Sequence, residues 1–210
     1  MFMQTSWKAL WFALSLLSSG PCFGAKSGAP SAWMTISVYN DANVPADAIA
    51  SAETTAARIF RSAGLEVRWI VCTPSADPAP KAAACSQVAF PSHLHVRIVP
   101  RSRNLTSSTF GVSYLSADGT GCYSDIFFAP IVDLHSSSGQ DIGPILGHVM
   151  AHEIAHLLLG ANSHSEAGIM RAHWQGKELV GTSKGELLFT EEQSQAMRQR
   201  LSMARQAVGD

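Results

Sequence analysis

The chain has 210 residues, 46% hydrophobic and 15% charged, with a formal net charge of −1. That is enough apolar material for one globular core, and the near-neutral balance without charge runs argues against a nucleic-acid partner. Residues 1–24 have the organisation of a secretory signal, with Lys8 in the positive region, Ala9 to Leu17 as the apolar stretch and Cys22-Phe23-Gly24 as a small-residue cleavage site. The apolar stretch is well short of the ~20 residues a spanning helix needs, so no membrane span is expected. The expectation is a single domain, 25–210, in a secreted or periplasmic protein. Its oxidising surroundings permit disulfides. Cys72 and Cys85 bracket a Pro/Ala-rich segment and are the expected pair, with Cys122 left over; the sequence leaves pairings with Cys122 open.

Met34, Ile36 and Val38 alternate with Thr35, Ser37 and Tyr39, the period of a half-buried strand. Pro45 suits a helix's first turn, and Ile49, Ala52, Ala56, Ile59 or Phe60, and Ala63 follow at helical spacing up to Gly64. Leu65, Val67, Trp69 and Val71 alternate again. A strand, helix and strand in succession make a parallel crossover the default. Thr73 to Lys81 reads as a loop, and Leu94, Val96 and Ile98 as a third strand whose other face, with His93 and His95, is expected to be solvated. Phe110 to Leu115 and Cys122 to Phe128 read as short strands joined by a turn at Ala117-Asp118-Gly119, the second a candidate edge strand. Ser136 to Asp141 reads as a connector.

The stretch from Gly143-Pro144 to Gly160 carries the chemistry. Ile145, Leu146, Val149, Met150, Ile154, Leu157 and Leu158 make it apolar around most of its circumference, the mark of a helix buried in the core. Polar groups on such a helix must face a cleft or find partners. His152 and His156, four apart, aim two imidazoles at one point, and Glu153 projects beside them. In this H-E-x-x-H arrangement two histidines bind zinc and the glutamate takes a proton from water. His148 lies about 12 Å along the helix axis from His156, too far to share the ion. A catalytic zinc needs a third protein ligand and an open position. His164, after the chain reverses at Gly160, is the nearest candidate, with Glu166, Glu178 and Glu186 as alternatives. Further on, Thr190-x-x-Gln193 is a capping box opening a terminal amphipathic helix.

The run His152-Glu153-x-x-His156, Gly160, His164 and Gly168-Ile169-Met170 resembles the metzincin clan of zinc endopeptidases, and its wording is similar to a group of secreted bacterial members. The resemblance implies zinc ligation by His152, His156 and His164, Glu153 as general base, and a Met-turn at Met170. It also implies an α/β (α+β) zincin-like fold: a mixed twisted sheet with a backing helix, an active-site helix, the Met-turn and a C-terminal helix. The chain departs from the clan's usual spacing by one extra residue before Gly160 and another before His164. The implied activity is peptide-bond hydrolysis on a peptide or protein substrate. The alternatives are a secreted zinc-binding domain with little turnover, or a zinc hydrolase acting on a non-peptide amide.

Overall fold

The structure is a computed structural model that describes residues 32–73, 79–102, 105–106, 108–174 and 187–209. The signal segment and two of the alternative ligands, Glu178 and Glu186, lie outside the described residues. In chain order the elements are β1 (Ala32–Asn40), α1 (Ala46–Ser62), β2 (Leu65–Cys72), α2 (Ala79–Ser86), β3 (His93–Val99), β4 (Gly111–Tyr114), β5 (Tyr123–Phe127), α3 (Phe128–Ser138), α4 (Ile142–Leu159) and α5 (Glu191–Gly209).

The five strands form one mixed sheet in the order β2-β1-β3-β5-β4. β1 pairs in parallel with β2 and β3, β3 pairs in parallel with β5, and β4 runs antiparallel along β5. At this end of the sheet the edge strand is therefore β4, while β5 is hydrogen-bonded on both sides. This corrects the expectation that Cys122 to Phe128 forms the edge. The hairpin at Asp118-Gly119 folds β4 outward because β3 has already claimed the other side of β5, where Ile126 and Phe127 are buried.

The alternation of β1 and β3 sorts their side chains as the sequence pattern requires. Met34, Ile36, Val38, Leu94, Val96 and Ile98 form one wholly buried face. Against it lie α1, through Ile49, Ala52, Ile59 and Phe60, and α4, through Ile145, Leu146, Met150 and Ile154. The two helices approach closely at Gly147, where a Cβ would sit 2.6 Å from the Ala52 carbonyl oxygen. Of the described helices, α4 is the one long and apolar enough to cross a membrane (mean hydropathy 1.3), and here it forms the centre of the core.

The opposite sheet face differs from the solvated surface expected. His93 and His95 are buried, with His93 Nε2 2.8 Å from Ser37 Oγ and His95 Nε2 donating to the Gln87 carbonyl at 2.7 Å. Tyr39 and Tyr123 stand against the His95 ring, and the Gln87 carbonyl follows directly on α2, where the sequence predicts a loop as far as Lys81. Alanines favour a helix there, and Pro80 sits in the first turn, where it costs no hydrogen bond. A Cys72–Cys85 disulfide ties α2 to the end of β2, as expected, and Cys122 is free. The serine run Ser136 to Ser138 likewise continues α3 rather than breaking it. Its hydroxyls donate to the Val132 and Leu134 carbonyls one turn back, and Gly139 closes the helix in the left-handed conformation.

Candidate metal centre

α4 ends at Gly160, whose N–H donates to the His156 carbonyl at 2.9 Å. The chain then turns back, so that His164 returns to the face from which His152 and His156 project. His156 Nε2 lies 3.0 Å from His152 Nε2 and 3.1 Å from His164 Nε2, and ligand atoms of all three lie within 4.8 Å of one another. Nitrogens held ~2.0–2.1 Å from a tetrahedral ion are roughly 3.3 Å apart, close to these separations. Glu166, the alternative ligand within the described residues, is exposed and outside this cluster.

Proton counting decides what such a cluster suits. His152 Nδ1 faces the Ile169 carbonyl oxygen at 2.8 Å, an acceptor only, so Nδ1 carries the proton and Nε2 presents a bare lone pair. His156 Nδ1 lies 2.8 Å from Ser163 Oγ, which orients its ring in the same manner. A proton on His156 Nε2 could serve one of its two close imidazole contacts, whereas one divalent cation satisfies all three nitrogens. Burial, together with the repulsion of neighbouring imidazoles, holds His152 down to about 4 and His156 down to about 3. Both are therefore neutral at physiological pH, the form that ligates metal. The donor set fits zinc, which takes imidazole nitrogens readily and, with three of them, keeps a coordination position free.

Trp174, from the segment after Met170, also donates its Nε1–H to the Ile169 carbonyl, at 3.1 Å, and stands edge-on to His152 with ring centroids 5.7 Å apart. The same oxygen thus fixes a ligand ring and the aromatic wall beside it. Met170 itself is fully buried, and its carbonyl accepts the Ser165 N–H at 2.9 Å. His148 is fully buried, donates Nδ1–H to the Pro144 carbonyl, and is outside the cluster, as its helical position requires.

Glu153 is almost wholly buried, and burial pushes its carboxyl up to about 7, opposed by a hydrogen bond from Ser113. Ser113, on β4, lies 2.7 Å from Glu153 Oε2, 2.8 Å from the Glu153 carbonyl oxygen and 2.9 Å from Ser124 Oγ. When the carboxyl is ionised, Ser113 donates to it. When it is protonated, it donates to Ser113, which passes its own proton to the carbonyl. Both charge states therefore find a partner. Space for the carboxylate exists because residue 111 is glycine: a Cβ there would fall 2.7 Å from both Oε1 and Cγ of Glu153. Glu153 and the three histidines line one cavity of about 800 Å³, whose apolar wall includes Phe110, Pro130, Leu134, Val149 and Trp174.

Sequence reasoning named the three imidazoles and the carboxylate but not Ser113, Gly111, Ser163 or the shared Ile169 carbonyl. None of them has a motif signal, because each reaches the site by a tertiary contact.

The sheet order, the buried helix bearing paired histidines and the return loop define the zincin-like fold, the architecture of zinc metallopeptidases. No protein-family model matches the chain, and no curated protein sequence matches it. Among solved structures it is similar to a zinc-dependent peptidase from Methanocorpusculum labreanum, with 14% identity and a TM-score of 0.52 over 77% of this chain and 99% of that one. It also aligns with metalloproteinase-II from Bacteroides fragilis (12% identity, TM-score 0.47, 86% of this chain and 55% of that one). A third alignment is with archaemetzincin from Methanopyrus kandleri (11% identity, TM-score 0.45, 83% and 99%).

Proposed function

We propose that this protein is an exported zinc-dependent endopeptidase whose domain comprises residues 25–210. The observation that carries the reading is the meeting of three imidazoles at one point in a cavity that also holds a buried carboxyl. The fold it shares with a zinc-dependent peptidase supports the same class.

His152, His156 and His164 hold the metal. When bound, zinc supplies a Lewis acid that activates water and polarises the scissile carbonyl. Glu153 is the general base. Its carboxyl, raised to about 7, can both accept a proton from the attacking water and return it to the leaving amine near neutral pH. Ser113 holds Oε2 and leaves Oε1 for that exchange. Met170, buried in the core next to Ile169, is the Met-turn residue, and the apolar wall receives a side chain of the peptide.

The test is metal analysis of the purified protein, followed by digestion of a peptide library with and without a chelator. One zinc per chain and cleavage that stops with chelator and returns with zinc are expected. Cleavage indifferent to chelator refutes the reading. Bound zinc with no peptide cleaved transfers the case to a zinc-binding domain or to another amide substrate.

A further inference from the structure

The third ligand is the vulnerable one: His164 is exposed and sits on a loop, whereas His152 and His156 are fixed by a buried helix. Something must hold that loop if the three nitrogens are to stay converged. Among the described residues, one side chain outside α4 reaches both neighbours of His164. Gln193 Nε2 donates to Ser165 Oγ at 3.1 Å and makes a longer contact, 3.4 Å, with the Ser163 carbonyl. Ser163 in turn places its hydroxyl on His156 Nδ1. Ser165 passes its own hydroxyl proton to the Ala167 carbonyl, which leaves its oxygen free to accept from Gln193.

The same side chain closes the capping box of α5. Gln193 Oε1 accepts the Thr190 N–H at 3.0 Å, and Thr190 Oγ1 accepts the Gln193 N–H at 3.3 Å. Its amide orientation is dictated from both ends, since the oxygen must face an N–H and the nitrogen must face a carbonyl. A glutamate would close this box equally well and would suit the positive end of the helix dipole better. What glutamine adds at this position is a pair of N–H donors, and both point at the loop of the third ligand.

We infer that Gln193 is a positioning residue for the metal centre, coupling the start of the C-terminal helix to the ligand geometry of His164 and His156. The inference rests on the three-histidine reading of the site. It also gives the terminal helix a task beyond packing. Partners that orient metal ligands from outside typically change metal affinity 10–100-fold when removed.

Gln193→Glu separates the two tasks of this side chain, because it keeps the capping box but removes both N–H donors and sets a carboxylate oxygen against the Ser163 carbonyl. Its metal-free melting temperature should match or exceed that of the parent, while its zinc Kd, measured by competition with a chromophoric chelator, should rise about tenfold or more. Thr190→Ala should do the reverse, lowering the melting temperature with zinc Kd near the parental value. Should Gln193→Glu not fold, Ser165→Ala removes one acceptor of the tether and should weaken zinc several-fold. Parental zinc affinity in a folded Gln193→Glu, or in Ser165→Ala if that is the variant measured, overturns the inference. A parent protein that binds no zinc overturns the three-histidine reading itself, and this inference with it.

Discussion

Glu153→Gln probes base and burial together, because glutamine keeps the shape and the Ser113 contact but cannot take up the proton. Loss of a general base lowers kcat/KM by about 10²–10⁴-fold. The stability effect runs the other way. Burial raises the Glu153 carboxyl from the ordinary 4.5 up to about 7, so the folded protein binds this proton more tightly than the unfolded chain does. Stability is therefore lost as pH rises from about 4.5 to about 7, and the full cost is present above that. At ~1.4 kcal/mol for each tenfold difference in proton affinity, the ceiling is about 3 kcal/mol at pH 8 and less than about 1 kcal/mol at pH 5. Glutamine carries no such cost. In chelator-treated protein Glu153→Gln should melt on the order of 5–10 °C above the parent at pH 8, with a much smaller gap at pH 5. The assays are peptide cleavage for the zinc-loaded pair and thermal denaturation of the metal-free pair at both pH values. Undiminished kcat/KM removes Glu153 from the chemistry. A melting difference that does not grow with pH shows that the carboxyl is not paying a burial penalty, and the argument for its proton affinity then fails.

Other perturbations separate the parts of the site. Gly111→Ala drives a methyl group into the Glu153 side chain and should cut kcat at least tenfold, with one zinc per chain retained; misplacement by about 1 Å can cost 10²-fold. Trp174→Phe keeps the ring against His152 but deletes the donor to the Ile169 carbonyl, and isothermal titration should report zinc binding several-fold weaker. Replacing Cys72 and Cys85 by serine opens a bridge of sequence separation 13 and should lower unfolding stability by about 3 kcal/mol in urea titration. Zinc stoichiometry should not change in that variant, because the bridge secures the sheet face opposite His152, His156 and His164.

Much of this protein is legible along one dimension. The alternation in β1 and β3 marked which face would be buried, the apolar circumference of α4 placed it in the core, and the i, i+4 spacing of His152 and His156 gave two converging rings. Those are local patterns, set by the periods of strand and helix, and for the face packed on the helices tertiary context had nothing to override. The bracketing of the Pro/Ala segment by Cys72 and Cys85 made that bridge the expected one, while pairings with Cys122 stayed open until the fold placed the three cysteines.

Tertiary structure decided everything that depends on which segment comes to lie beside which. Whether β4 or β5 forms the edge turns on the pairing of β5 with β3, and no residue in either strand announces that. His93 and His95 look solvated in sequence because the groups that enclose them, Ser37, Tyr39, Tyr123 and the Gln87 carbonyl, come from other segments. Ser113 and Gly111 became parts of the site only because an antiparallel strand passes over the active helix. The aim of the rings follows from groups spread over residues 163–193 whose chemistry is ordinary until folding places them: the Ile169 carbonyl accepts from His152, Ser163 Oγ lies against His156 Nδ1, and Gln193 Nε2 reaches Ser165 beside His164. A ligand's identity follows from its side chain, but its direction follows from partners that only the folded chain supplies.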